Sequence, residues 1–212
     1  MRISLRTAAS LSLALSVAAT PLTAQGAPDL YGGVHGGLGL FGGDVAAIVL
    51  GANLLASNEI GALSLSFETI DYGVEPSTNV ANNQSPSGST PVSWTRGTRL
   101  QALFYATFQR GNLEFYGGPG LSYNKITDGA PLQSIASTIS SQELAGAQEA
   151  IDAADTKLSA VFGAGMQWKR NRLAVFGEYR LVPASRSFLK DGTQMTWTTG
   201  IRYSLSPPRM GP

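Results

Sequence analysis

Few side chains in this sequence could do chemistry. His35 is the only histidine, and it is followed by Gly36 and Gly37. A Ser–His–acid triad could recruit many serines, but no spacing selects one, so the plainer reading is a histidine bonded to a neighbouring side chain. There is no cysteine, and no Cys/His cluster or carboxylate-rich loop suggests a metal site. Gly36-Gly37-Leu38-Gly39 lies within a strand-like run and lacks the Lys-Ser/Thr ending of a phosphate loop. No cofactor is implied. What remains is a set of three acids and three bases: Glu68, Arg99, Glu114, Glu178, Arg180 and Arg202. Side chains of opposite charge on matching faces can neutralise one another, so the chemistry open to them is ion pairing in a confined space.

These six residues sit on runs that alternate with a period of two, the mark of strands with unlike faces. Leu63, Leu65, Phe67 and Thr69 alternate with Ser64, Ser66 and Glu68. Leu100, Ala102, Phe104, Ala106 and Phe108 oppose Arg99, Gln101, Tyr105, Thr107 and Gln109. Leu113, Phe115, Leu121 and Tyr123 oppose Glu114, Tyr116, Ser122 and Asn124. Leu158, Ala160, Phe162, Ala164, Met166 and Trp168 oppose Ser159, Gly163, Gly165 and Gln167. Leu173, Val175, Tyr179 and Leu181 oppose Phe176, Glu178 and Arg180, and Met195, Trp197, Thr199, Ile201, Tyr203 and Leu205 oppose Thr196, Thr198, Gly200, Arg202 and Ser204. Residues 30–41 form a glycine-rich first strand, with Leu30, Val34, Leu38 and Leu40 opposite Tyr31 and His35. Residues 45–55 read as a second strand whose faces stay unassigned, because both are apolar or small.

About eight strands result. After a short turn at Gly42-Gly43, the connections run short and long in alternation. The long segments are 76–93, rich in Asn, Ser, Pro and Gly and read as a mobile loop, 127–156, and 183–192. Within 127–156 a short helix is expected: Ser140 and Glu143 have the spacing of a capping box, and Leu144, Ala147 and Ile151 share a face. An even strand number with short turns at one end and long loops at the other suits an all-β, eight-stranded, antiparallel up-and-down barrel.

Composition agrees with an unusual solvent. Charged residues are 14% of the chain, against roughly 25% in soluble proteins. Arg2 and Arg6, the apolar run 11–19 and the small residues Thr23-Ala24-Gln25-Gly26-Ala27 read as a signal peptide over 1–24, cleaved after Ala24 or Gly26. Loss of both arginines takes the formal net charge from +1 to −1, and neither value attracts nucleic acid. The barrel is expected over 25–205, with a short tail over 206–212. Without cysteine, an exported chain has neither disulfides nor a lipoprotein anchor.

Two eight-stranded barrels compete: a soluble one with an apolar cavity and a membrane one with an apolar exterior. A solvent-facing polar face would carry more Lys and Asp than these strands do, so the charged face is read as the lumen. Aromatic residues add two belts, Phe108, Phe115, Trp168 and Tyr203 toward the short turns and Phe67, Trp94, Tyr123, Tyr179 and Trp197 toward the long loops, where rings favour membrane interfaces.

On these grounds the mature chain resembles the small eight-stranded bacterial outer-membrane β-barrels of the OmpA transmembrane-domain and OmpX type. Thr198, Gly200, Tyr203 and Leu205 resemble the C-terminal signal read by the barrel-assembly machinery, although members of that superfamily often end on an aromatic residue and this chain continues from Ser206 to Pro212. The resemblance implies an outer-membrane location, contacts with outer-membrane lipids and lipopolysaccharide, and a non-enzymatic role in envelope structure or surface interaction, with loops 76–93 and 127–156 available to a surface ligand. Two other roles remain open. A conduit or receptor for a small apolar ligand would need an apolar opening between strands or a ligand-sized lumen. A lipid-modifying enzyme would need a serine and an acid beside His35, and the His-x-Ser arrangement of lipid A deacylases is lacking.

Overall fold

The computed structural model describes residues 28–42, 45–58, 60–73, 77–132, 138–184 and 192–206; the expected signal peptide and most of the tail and of loop 183–192 lie outside them. Eleven strands follow in chain order: β1 (Asp29–Phe41), β2 (Val45–Ser57), β3 (Gly61–Tyr72), β4 (Ser77–Ala81), β5 (Ser89–Ser93), β6 (Arg96–Arg110), β7 (Leu113–Ile126), β8 (Ala130–Pro131), β9 (Thr156–Arg170), β10 (Leu173–Val182) and β11 (Gln194–Ser204), with the helix α1 (Ser141–Ala154) between β8 and β9. Eight of the strands close an antiparallel barrel in the order β1-β11-β10-β9-β7-β6-β3-β2, and β4, β5 and β8 form a separate small sheet. Closure joins the first strand to the last from Tyr31 opposite Ser204 to Phe41 opposite Gln194, and the Leu205 N–H donates to the Leu30 carbonyl at 2.7 Å.

The side-chain pleat inverts the arrangement of a soluble protein. Leu38, Leu50, Phe108, Leu158 and Trp197 are each more than half exposed on the outer wall, whereas Glu68, Arg99, Glu178, Arg180 and Arg202 are buried within. Continuous apolar surface of this extent is stable only against another apolar phase. β2, whose faces the sequence leaves unassigned, turns Val45, Ala47, Val49, Asn53 and Leu55 inward and Ala46, Ile48, Leu50 and Leu54 outward. Its two faces look alike in sequence because the outer half of the lumen is itself apolar.

Tight turns set the registers at one end. The turn 110–113 uses Gly111 at φ 62° and the turn 170–173 uses Asn171 at φ 56°, residues that tolerate the left-handed region. Inside the barrel, a Cβ on Gly37 would lie 1.9 Å from the Trp197 carbonyl oxygen, so β1 approaches β11 too closely for any side chain there.

At the other end the long segments build a cap. Of the segment 76–93 expected as a mobile loop, the described residues 77–93 are a hairpin: β4 and β5 pair from Ser77 opposite Ser93 to Ala81 opposite Ser89. Val80 and Val92 on its inner face explain why it folds down, since they join Phe41, Val49, Ile70, Tyr72 and Ile126 in an apolar plug completed by Ile151 of α1. The buried Asn82 amide donates to the Thr90 hydroxyl at 2.9 Å and to the Glu143 carbonyl at 2.8 Å, stapling hairpin to helix. Trp94 belongs here too. Expected in the outer aromatic belt, it lies before β6 begins, where the strand's alternation does not apply, and it is 1% exposed inside the plug, its ring centroid 6.5 Å from that of Tyr72. The other expected belt residues, Phe67, Tyr123 and Trp197 toward the loops and Phe108, Phe115, Trp168 and Tyr203 toward the turns, are exposed on the wall, and Tyr179 packs at 6.2 Å from Trp197.

Helix α1 starts at the expected capping box, the Ser140 hydroxyl accepting from the Glu143 N–H and the Glu143 carboxylate accepting from the Ser140 N–H at 2.9 Å. Those donated bonds hold the Glu143 carboxyl below its ordinary value. A carboxylate with a depressed folded pKa stabilises the fold above the ordinary value, and that contribution fades as pH falls through the depressed one. Acidification from pH 7 to pH 3 should therefore lower the amide-exchange protection factors of Ser140 and Leu144, taken relative to the intrinsic rate at each pH, more in the unmodified protein than in Glu143→Gln; equal responses would contradict the assignment. For the wall, Leu50→Arg should cost about 2–4 kcal/mol in chemical unfolding from lipid vesicles, and an unchanged stability would mean that this face does not meet lipid.

Candidate functional site in the barrel lumen

The polar face of the strands meets itself at the centre of the barrel. Two carboxylates organise it. Glu68, on β3, accepts from the Arg99 Nε at 2.7 Å and lies 2.6 Å from Arg99 Nη2; its other oxygen takes Arg180 Nη1 and, at 2.9 Å, His35 Nε2. Glu178, on β10, takes Arg180 Nε, the Tyr105 hydroxyl at 2.8 Å and the Tyr116 hydroxyl at 3.1 Å, with Arg202 Nη2 at 3.5 Å. Arg180 thus spans both acids and also donates to Gln101 Oε1 at 2.6 Å. Arg202 donates to Asn53 Oδ1 at 3.0 Å and to Gln167 Oε1 at 2.9 Å, its guanidinium 3.7 Å from the centre of the Phe176 ring.

Glu114 lies apart. Its partners are Lys169 at 2.6 Å and the Gln167 amide at 2.5 Å, and Gln167 in turn links it to Arg202. With Lys169 included, these lumen residues hold four bases to three acids. Glycines make the room: a Cβ on Gly51 would lie 2.8 Å from His35 Nε2, and one on Gly33 would lie 2.7 Å from Arg202 Cγ.

The tautomer of His35 follows from its neighbours. Arg202 can only donate, so Asn53 Oδ1 is its acceptor and the Asn53 NH₂ faces His35 Nδ1 at 3.1 Å. Nδ1 must then accept, which places the ring proton on Nε2, where it is donated to Glu68. Both ring nitrogens are engaged, and neither is left to activate a serine hydroxyl. Among the described residues no three His, Cys, Asp or Glu side chains gather as metal ligands would.

The lumen offers a ligand little. Between the apolar plug and the ion pairs it is occupied by buried side chains, and depressions of about 460 and 450 Å³ lie around Gly36, beside the outward-facing Val34, Leu50 and Ile201, and around Gly97. The pairing of β6 with β7 skips Phe104 and Tyr105 opposite Gly118 and Pro119, where a proline has no N–H to give. The strands nonetheless stay in contact there, since a Cβ on Gly118 would lie 1.9 Å from the Phe104 oxygen.

A closed eight-stranded barrel with its apolar face outward and charged side chains buried inside is similar in fold to several solved structures. Neisserial surface protein A matches with a TM-score of 0.53 at 10% identity, over 84% of this chain and 96% of that one. The fold is that of the small eight-stranded outer-membrane barrels. The N-terminal β-barrel domain of Pseudomonas aeruginosa OprF matches at 0.49 and 13% identity, over 85% of this chain and 100% of that one. Yersinia pestis Ail, in complex with the heparin analogue sucrose octasulfate, matches at 0.43 and 14% identity, over 84% and 97%. No family model and no curated protein matches the sequence.

The structure places the six charged residues as follows: Glu68, Arg99, Glu178, Arg180 and Arg202 share one bonded cluster, and Glu114 reaches it only through Gln167. Of the residues compared with an assembly signal, Thr198 is buried, Gly200 lies in the wall opposite His35, and Tyr203 and Leu205 face outward. Sequence reasoning missed Asn53, on the strand with two similar faces, and Lys169, read as part of a turn. Continuing the inward alternation from Gln167 by one more step would have found Lys169.

Arg180→Met would leave Glu68 and Glu178 short of a shared counter-charge in a dry site. It should cost about 3–5 kcal/mol of unfolding free energy, more than the about 1.5–3 kcal/mol for loss of one hydroxyl donor in Tyr105→Phe. Equal or negligible losses in vesicle unfolding would contradict the network.

Proposed function

We propose that this protein is a non-enzymatic outer-membrane barrel that contributes to envelope structure or surface interaction, exported by a signal peptide over 1–24 and inserted by the barrel-assembly machinery through Thr198, Gly200, Tyr203 and Leu205. The observation that carries the reading is the inverted wall: large apolar side chains outside and bonded buried charges inside. A barrel of this kind has no aqueous core to gain from being soluble, and one whose lumen is filled by arginines and glutamates is a closed rod rather than a conduit.

The non-enzymatic part rests on His35, whose two ring nitrogens are occupied by Glu68 and Asn53. The surface part rests on the cap. β4, β5 and α1 present the hairpin tip and the exposed side of the helix, with Leu144, Gln148, Glu149 and Asp152 away from the plug. A rigid platform over a rigid barrel can carry recognition without disturbing the membrane part. The segments 76–93 and 127–156 are the parts available to a surface ligand, and the wall meets outer-membrane lipids and lipopolysaccharide.

In membrane fractions the protein should run with the outer membrane and shift its gel mobility on boiling, and in planar bilayers it should carry no steady current. Unchanged mobility would contradict the barrel in the membrane, and stable channel openings would contradict the closed lumen.

A further inference from the structure

The two ends of the barrel differ in charge. At the long-loop end the described acids Asp71, Asp128, Glu143, Glu149, Asp152 and Asp155 outnumber Arg96, Lys125 and Lys157, and opposite signs meet, as in the Lys125–Asp155 pair at 3.7 Å and in Asp71 opposite Arg96. At the short-turn end, Arg110, Arg170 and Arg172 are exposed, Glu114 is buried and neutralised by Lys169, and Asp29 is half-buried on β1, which β11 separates from β10.

The three arginines fall on one arc of the wall. Arg110 of β6 is opposite Leu113 of β7, Leu113 is opposite Trp168 of β9, and Leu173 of β10 is opposite both Arg170 of β9 and Tyr203 of β11. By the strand alternation Arg110 continues the outward row that ends in Phe108, and Arg170 the row that ends in Trp168. Their stems therefore extend the apolar band and bring the guanidinium groups to its edge, the depth of lipid headgroups. Arg172 is held at the same edge, its guanidinium 4.7 Å from the centre of the Tyr203 ring and its Nη2 donating to the Ser204 carbonyl at 3.0 Å.

We propose that this arc is a collar for anionic phospholipid: the phosphate of a phosphatidylglycerol-type headgroup sits against Arg110, Arg170 and Arg172, and its acyl chains lie on Phe108, Phe115 and Trp168. Guanidinium groups suit the site because they bind phosphate by two parallel hydrogen bonds, and the aromatic band below supplies the apolar contact that a free phosphate could not use. The proposal rests on the membrane reading above. It adds a leaflet and a headgroup charge to it, namely the leaflet on the side of the short turns.

The test uses Trp168 as a reporter in a Trp94→Phe/Trp197→Phe background, reconstituted in phosphatidylcholine vesicles into which brominated phosphatidylglycerol or brominated phosphatidylcholine is titrated. Quenching of Trp168 should report about a fivefold preference for the anionic lipid, reduced to near parity in Arg110→Gln/Arg170→Gln/Arg172→Gln. In the protein that keeps its arginines, the preference should shrink between 0.1 and 1 M salt, as screening requires. Equal quenching by both lipids before the arginines are changed, or a preference indifferent to salt, overturns the collar alone. Absence of quenching by either lipid overturns the membrane reading with it.

Discussion

A guanidinium shared between two buried carboxylates governs the interior of this barrel. Arg180 reaches Glu68 on β3 and Glu178 on β10, strands on different sides of the closed sheet, so one side chain ties together parts of the wall that share no backbone hydrogen bonds. Each charge is costly to bury alone, and the pair of acids would repel without the base. The arrangement is therefore satisfied only when the barrel is closed and in register. A one-residue slip of either strand would send its acid into the lipid-facing wall, which makes the network a device for specifying register as well as for filling space.

Everything along the barrel axis follows from where that cluster sits. Toward the loops the lumen turns apolar, and the plug of Phe41, Tyr72 and Trp94 is closed by valines from the β4–β5 hairpin and Ile151 from α1. Toward the turns Tyr31 and Leu55 belong to a second apolar group, and the Glu114–Lys169 pair completes that end. Burying charges between two apolar layers strengthens their mutual attraction, since the local dielectric is low. The same buried side chains carry both the closed reading of the lumen and the structural role proposed for the protein.

Much of this was legible in the sequence because the pleat has a period of two and the two faces differ sharply in polarity. The last strand is the clearest example, with Trp197, Ile201 and Tyr203 outward and Arg202 inward against Glu178. Legibility failed where an assumption behind the period failed. β2 could not be oriented because its inner face borders the apolar plug. Trp94 was misplaced because it precedes its strand. The hairpin in 76–93 was hidden by its polar turn composition, and it folds only because Val80 and Val92 find a plug assembled from residues distant in sequence. His35 was correctly expected to bond a neighbour, but no local pattern names Asn53 and Glu68 as its partners, since those contacts exist only after closure.

The central claim is that one face of every barrel strand meets lipid and the other is sealed from both lipid and water. The chain has no native cysteine, so single cysteines can carry spin labels along β11 without background. In lipid vesicles, labels at Met195, Trp197, Ile201 and Tyr203 should collide freely with dissolved oxygen, while labels at Thr196 and Thr198 should be shielded from oxygen and from a water-soluble nickel chelate alike. An alternation of the opposite phase, or uniform access to the nickel chelate along the strand, would contradict the account.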